Sequence, residues 1–310
     1  MNIKKRLGRI KYKVLECYPY QFMVKKAEKK RHEYKQYLEK LPPLPISEKS
    51  DFEIHTLCGK KHLDMGIWAT YSIARFLKNI CFIVHSDGTL DKDTFSMWKK
   101  IVPNIQLIEK DERNQVVKKK MEKKYPILYN WRCNNWASAQ LIDVQFFGKN
   151  DRLLNMDTDV LCFQYPTDLV NAFREDKPRF RWGKDLLDAY TQPLKKLKDT
   201  TGLNVPHALC AGFLLTPRLI DKDFAYLEKM LSELQKNNIF NLNHNWATQT
   251  YYGFLAANSE NAVPLPQAYD ITKRKTTDEM VLRHFVGVPR IRPRYFLEGV
   301  PRILRDLNLI

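Results

Sequence analysis

The chain has 310 residues, 44% of them hydrophobic and 12% aromatic, which excludes an intrinsically disordered protein and leaves room for one large domain or two modest ones. Its net charge of +17 implies an anionic partner, whether nucleic acid, acidic lipid or a phosphorylated substrate. No apolar run reaches the ~18 residues a membrane span needs, no apolar segment follows the basic N-terminus as in a secretory signal, and six scattered cysteines form no Cys-x-x-Cys pair. These features suit a cytoplasmic protein with reduced thiols and argue against a structural zinc site.

Residues 1–40 carry 13 Lys/Arg against 4 Asp/Glu, about half the excess charge in an eighth of the chain. They read as a basic helical segment interrupted at Pro19, with Ile10, Tyr12, Val14, Leu15, Tyr18, Tyr20, Phe22 and Met23 interleaved among the lysines. "LPPLP", Leu41 to Pro45, reads as a stiff linker, so we expect an N-terminal segment over 1–45 and a catalytic domain over 46–310. Basic and aromatic residues together predict docking on an anionic membrane surface; a helical arm packed on the rest of the protein is the competing expectation.

From residue 52 the pattern changes. "FEIHTLCG" reads as a strand ending in a glycine turn, "HLDMGIWATYSIARFL" as a helix, and "NICFIVHSDG" as a strand ending at Ser86-Asp87-Gly88. "KDTFSMWKKIV" reads as a helix, "IQLIE" as a strand, "NWASAQLIDVQFF" as a helix and "DRLLNMDTDVLCF" as a strand. Alternation of this kind predicts an α/β fold with a mainly parallel central sheet covered by helices, whose ligands bind beyond the carboxyl ends of the strands.

Asp-x-Asp occurs three times. Asp91/Asp93 and Asp221/Asp223 lie in polar "DKD" segments at expected helix starts, where carboxylates favour the helix dipole. Asp157/Asp159 differs, because apolar residues flank it on both sides. A buried carboxylate without a partner costs several kcal/mol. Two of them on one side of a strand repel, unless a cation lies between them or backbone N–H groups and an arginine cap them. Hard oxygen ligands in small number suit Mg²⁺ or Mn²⁺.

"LLNMDTDVLCFQYP" resembles the DxD signature of the GT-A glycosyltransferases, in which an apolar strand runs into Asp-x-Asp and an apolar stretch leads on to a proline. Other segments match in order. "HALCAGFLLTPR" resembles the family's Ala/Ser-Gly strand through Ala211-Gly212. "NHNWATQTYYGFLA" offers Trp246 and Gln249 but lacks the acidic residue often found there. "RHFVGVPRIRPR" resembles the late His-x-x-Gly of the glycogenin-like (family 8) branch through His284 and Gly287, with Arg290 and Arg292 where that branch usually has lysine. The resemblance covers about residues 50–300.

The resemblance implies a metal-dependent transferase of hexosyl groups. It would move a sugar from a nucleotide diphosphate donor to a glycan or lipid-linked acceptor, with a weak tilt to retention of configuration. Asp157, Asp159 and His284 would hold Mn²⁺ or Mg²⁺, and Arg290 and Arg292 would meet phosphate oxygens. Thr56 and Cys58, with His85 and Asp87 of "VHSDG", would supply donor contacts at the strand ends. Ala211, Gly212 and Gly287 would border the donor. Trp246 and Gln249, with Asp185 and Asp188 of "WGKDLLDAY" on a helix face, would meet the acceptor. Two other expectations stand beside this one. A nucleotidyltransferase would need a Gly-rich basic loop, of which "TLCGKKHLD" is a poor version. A non-enzymatic nucleic-acid binder fits the charge, but no zinc, helix-turn-helix or RNP-type motif supports it, so no nucleic-acid partner is expected.

Overall fold

The computed structural model describes residues 14, 17–47, 50–236 and 244–310; Ile10, Tyr12 and Leu15 of the expected N-terminal segment lie outside them. The centre is a seven-stranded sheet in the order β3-β2-β1-β4-β7-β6-β8. Its strands are β1 (Phe52–Cys58), β2 (Ile80–Ser86), β3 (Ile105–Ile108), β4 (Arg152–Met156), β6 (Arg181–Lys184), β7 (Leu209–Pro217) and β8 (Val263–Pro264). β1, β2, β3 and β4 pair in parallel, while β7 runs antiparallel between β4 and β6. A separate antiparallel pair joins β5 (Val160–Cys162) to β9 (Leu282–His284). The mostly parallel, helix-covered α/β sheet is the one expected.

Helices cover both faces, so the central strands β1, β2, β4 and β7 are buried along almost their whole length and do not alternate with solvent, whereas β3 and β8 at the edges are partly exposed. On one side Ile54, Phe82, Leu154 and Phe213 meet α1 (Gln21–Leu38), α2 (Leu63–Ala74), α3 (Lys92–Ile101) and the C-terminal segment through Trp68, Trp98 and Tyr295. On the other side Leu214 and Trp182 join Val117 of α4 (Lys110–Met121), Trp131 of α5 (Pro126–Asn134), Leu227 of α8 (Asp221–Lys236) and Tyr251 of α9 (Ala247–Ala257). Tyr34, Leu38 and Leu41 belong to the first of these cores, and Arg31 holds Asp64 of α2 at 2.7 and 2.6 Å, so α1 packs on the sheet domain.

Local chemistry explains several boundaries. Asp91 caps α3 by accepting the Thr94 N–H at 2.7 Å, and Asp223 accepts from Ile220 N at the start of α8, as carboxylates at helix starts should. Pro126 opens α5, where a missing N–H costs nothing, and the Ile127 and Leu128 N–H groups are received by Glu228 at 2.8 Å each.

Three local expectations are corrected. Residues 136–146 form two short 3-10 turns, Trp136–Gln140 and Asp143–Phe146, in place of one helix; Asn135 accepts from Ala137 N at 3.0 Å and starts the first turn tightly. Asp157–Asp159 lie in a turn between β4 and β5 rather than within one strand, with Val160 N donating to Asp157 O at 3.2 Å. Asp185 and Asp188 share no helix face, because the chain leaves β6 in irregular backbone that Asp185 N and Ala208 O tie to the start of β7. Arg290 and Arg292 lie in turns, and Arg294 opens the helical segment that follows.

Beneath the sheet lies a polar layer. Glu53 Oε2 accepts from Lys149 N at 2.6 Å and Asn150 N at 3.1 Å, and its Oε1 receives Arg218 at 2.7 Å and His55 Nε2 at 3.0 Å. Burial alone would raise this carboxyl, but the His55 hydrogen bond and the backbone donors outweigh it and hold the group at about 2. A pKa depressed from the ordinary value of about 4.3 contributes stability above that value, and the contribution is lost as pH falls toward 2. Glu53→Gln should therefore cost about 3 kcal/mol in urea unfolding at neutral pH. Wild type and variant should converge in stability as pH drops from about 5 to about 2; a difference that stays constant over that range would show that the carboxylate charge is not what stabilises this layer.

Candidate functional site

β4 carries the aspartate pair to the carboxyl edge of the sheet, where the apolar run Leu153-Leu154 gives way to a turn. The first carboxylate is placed by β7: Asp157 N donates to Gly212 O at 2.8 Å. The second is placed by β9, because Phe285 N donates to Asp159 O at 2.8 Å and Val160 pairs with His284. Two segments far apart in the chain thus converge on one three-residue turn.

Asp157, Asp159 and His284 present ligand atoms within 4.8 Å of one another. His284 Nε2 lies 3.0 Å from Asp159 Oδ1 and 3.5 Å from Asp157 Oδ2. Its Nδ1 faces Cys210 Sγ at 3.2 Å, which fixes the ring with Nε2 toward the carboxylates. Arg292 reaches Asp159 Oδ2 at 2.5 Å and is itself oriented by donating from Nε to Phe285 O at 2.9 Å. Gln140 Nε2 donates to Asp157 Oδ1 at 2.5 Å; its backbone oxygen accepts from Tyr252 Oη at 2.6 Å, which fixes the turn carrying it.

The electrostatics separate the two carboxylates. Burial and the neighbouring Asp159 charge raise Asp157. Burial would raise Asp159 too, but the Arg292 guanidinium and His284 hold it well below the carboxylate range. Burial opposes charge on His284, yet Asp159 pushes its pKa well above the ordinary value. Two oxygens and one imidazole nitrogen, converging with a glycine at closest approach, fit a hard divalent cation such as Mn²⁺ or Mg²⁺.

The cluster lines a cleft of about 340 Å³. Ala211 and Gly212 form its floor, and Asp185, Gln249 and Asn245 stand on one wall. His62, at the start of α2, and Trp136 stand on others. Burial, followed by the charges of Arg292 and Arg31, lowers the His62 pKa, so the cleft meets a neutral imidazole there. Burial raises Asp185, with the Leu186 N–H and Gln249 acting in the opposite direction. Trp136 is 74% exposed and Trp246 42%. Asn135 Nδ2 donates to His244 O at 3.3 Å, which joins the segments carrying the two indoles. A larger hollow of about 720 Å³ lies at the opposite end of β7, beside Pro217 and Arg218, and holds none of the cluster.

Of the expected site residues, Asp157, Asp159, Ala211, Gly212, Asp185, Gln249, His284 and Arg292 line this one cleft. The others lie elsewhere. His85 is buried below the sheet, bonded through Nε2 to His55 Nδ1 at 2.9 Å. Thr56 and Cys58 are buried side chains at the end of β1, although Leu57 between them lines the cleft. Asp87 accepts from Thr89 N at 2.8 Å and packs where a side chain on Gly59 would go. Asp188 accepts from Ala208 N at 2.7 Å and faces His207, holding a loop. Gly287 packs near Arg292, Arg290 O accepts from Arg294 Nε at 3.1 Å, and Trp246 caps the start of α9. Gln140, His62, Trp136 and Cys210 were not anticipated. The only sequence signal for them is polar or aromatic residues in the segments before the aspartate pair and before Ala211.

No family model matches the chain, and no curated protein matches it in sequence. Among solved structures, apo mouse xyloside xylosyltransferase 1 is similar with a TM-score of 0.52 at 11% identity, over 75% of this chain and 96% of that one. Core-mannan synthase A from Aspergillus fumigatus, in its Mn/GDP form, is similar with a TM-score of 0.46 at 12% identity, over 83% of this chain and 87% of that one. The first of these likenesses establishes the fold, the helix-covered sheet expected of a GT-A protein.

The close approach at Gly212 has a measurable consequence. A Cβ there would lie 2.3 Å from Asp157 Oδ2 and 2.4 Å from His284 Cε1, so both side chains would have to shift. Gly212→Ala should weaken Mn²⁺ binding by at least ~10-fold in titration calorimetry, a loss typical of disturbed ligand positioning. Unchanged affinity would remove Asp157 and His284 from the binding set.

Proposed function

We propose that the chain is a metal-dependent glycosyltransferase that moves a hexosyl group from a nucleotide diphosphate sugar to a glycan or lipid-linked acceptor, with retention of configuration. The observation that carries this reading is the convergence of Asp157, Asp159 and His284 at the carboxyl end of β4, in a cleft with a small-residue floor. In the transfer, the bond from the anomeric carbon to the donor diphosphate breaks, a bond from that carbon to an acceptor oxygen forms, and the acceptor hydroxyl passes its proton to the departing diphosphate.

A divalent cation held by the three residues would neutralise the diphosphate and stabilise the charge that grows on it as it leaves. The chain's own groups do the rest. Arg292, anchored on Phe285 O and Asp159, presents a guanidinium to phosphate oxygens. Gln140 keeps Asp157 turned toward the cluster. Ala211 and Gly212 leave space for a sugar ring to lie close on the β7 backbone. Asp185 and Gln249 offer hydrogen bonds to acceptor hydroxyls, and Trp136 offers a flat apolar face on which a pyranose ring can stack.

Asp185 also favours a second stereochemical reading. It is a half-buried carboxyl with a raised pKa on the cleft wall, the kind of group that serves as general base in an inverting transfer. Proton NMR of the first product separates the two: retention leaves Asp185 as a hydroxyl-orienting residue, and inversion makes it the base.

A panel of UDP- and GDP-sugars tests the reading directly. With Mn²⁺ or Mg²⁺ the protein should transfer sugar or slowly hydrolyse one donor, and EDTA should stop it. Asp159→Asn should lower turnover at least ~100-fold, the usual effect of losing one electrostatic stabiliser. Full activity in a folded Asp159→Asn protein would sink the assignment. Trp136→Ala should raise the acceptor KM about 10-fold while leaving donor hydrolysis intact, as expected for loss of a stacking surface. Equal effects on both would place the indole with the donor.

A further inference from the structure

Helix α1 divides along its length. Its inner stripe, Ala27, Arg31, Tyr34 and Leu38, recurs at helical spacing and faces the core. The opposite face of its first two turns carries Phe22, Lys25, Lys26 and Lys29, spaced i, i+3, i+4 and i+7. Phe22 is 77% exposed, and Tyr18, in the turn just before the helix, is 62% exposed. Lys25, Lys26 and Lys29 are exposed and form no salt bridge among the described residues, whereas Lys30, one residue on, is taken up by Glu33 at 2.6 Å and by the Tyr34 ring. Two exposed aromatic side chains beside three lysines that form no salt bridge among the described residues are out of place on a free surface. They match the headgroup region of an anionic bilayer, where lysines meet lipid phosphates and aromatic rings enter the acyl boundary.

We infer that this outer face of α1, with Tyr18, docks the protein on an anionic lipid surface. The helix lies on the surface and does not cross it: no helix among the described residues is long and apolar enough to span a bilayer. Charge complementarity selects the occupant, since a second copy of this basic chain would set lysines against lysines.

The docking face is rigidly coupled to the cleft. Arg31 binds both oxygens of Asp64 and the Lys61 carbonyl, while His62, between them in sequence, lines the cleft. Phe22 lies nine residues before Arg31 on the same helix, about 14 Å along its axis. The docking face and the cleft are therefore joined through one helix, by the contacts of Arg31 on either side of His62. The docking itself does not depend on the transferase reading, because vesicle binding is measured without donor, metal or turnover.

The intact 310-residue chain serves for the test, because Tyr34, Leu38 and Leu41 are core residues and removing α1 would open the core. In flotation, the protein should rise with phosphatidylcholine vesicles containing phosphatidylglycerol, stay behind with pure phosphatidylcholine, and be released by high salt. Changing Lys25, Lys26 and Lys29 together to Glu should lower the partition coefficient at least ~100-fold, and Phe22→Ala about ~10-fold. Both variants alter exposed side chains and should keep the wild-type melting temperature. The inference is overturned if both variants float like wild type, or if neutral vesicles bind equally. It is also overturned if no vesicle binds while Phe22→Ala breaks a dimer in sedimentation, which would make the face a contact between copies. Binding of duplex RNA through the same lysines, with no vesicle binding, would overturn it as well.

Discussion

Two carboxylates on one three-residue turn repel each other, and much of the surrounding structure can be understood as the containment of that repulsion. Asp157 and Asp159 leave β4 where the backbone needs a turn, so both side chains face the same cleft. Arg292 and His284 supply positive charge to Asp159, and Gln140 supplies a donor to Asp157. The resulting asymmetry is physical: one carboxylate is held ionised by a guanidinium, and the other has its pKa raised by burial and by its neighbour. A cation of double charge held between them would relieve both at once.

The topology explains how so few residues bring these groups together. If every strand were parallel, the start of β7 would lie at the far end of the sheet from the aspartates. Because β7 runs antiparallel beside β4, Gly212 and Phe213 near its start meet Asp157 and Met156 at the end of β4. The antiparallel β5-β9 pair does the same for His284. Behind them the segment after β9 is locked to the body of the protein: Tyr295 Oη donates to Met65 O at 2.9 Å, Arg75 pairs with Asp306 at 2.8 Å, and Arg283 is enclosed by Glu298, Thr276 and two carbonyls. His284 and Arg292 are therefore positioned by the last part of the chain packing on α2.

The aspartate pair was legible in the sequence because it violates a local expectation: charged residues interrupt an apolar run. The parallel sheet was legible from alternation, and Ala211-Gly212 and His284 from short motifs in a known order. What escaped has equally local reasons. Gln140 and Trp136 sit on 3-10 turns, which carry no hydrophobic period, and only tertiary packing of Tyr252 and His244 brings them to the cleft. Asp185 and Asp188 have helical spacing, but three residues of irregular chain have it too. α4 escaped because its buried face includes Arg113, which pairs with Asp143 at 2.8 Å and makes the segment read as a polar run. His85 lies on a strand buried on both faces, where a period of two cannot tell the cleft side from the interior.

The buried polar layer and the cleft are parts of one design problem. A sheet covered on both faces needs apolar side chains on both, yet β1 places Glu53 and His55 on the face below. They are tolerated because every strong charge there has a partner: Glu53 takes Arg218 and two backbone donors, and Asp143 takes Arg113 and Arg132. Burial keeps His55 and His85 below the ordinary histidine pKa, so the histidine pair adds hydrogen bonds without adding charge. Glu53 also draws in the Lys149 and Asn150 backbone, the loop that feeds β4 into the sheet. Arg218 carries the same anchor to the far end of β7. The two strands whose ends meet at Asp157 and Gly212 are thus tied to each other at their opposite ends by one ionised carboxylate, and the relative position of the cleft's floor and its carboxylates is set from both ends of the sheet.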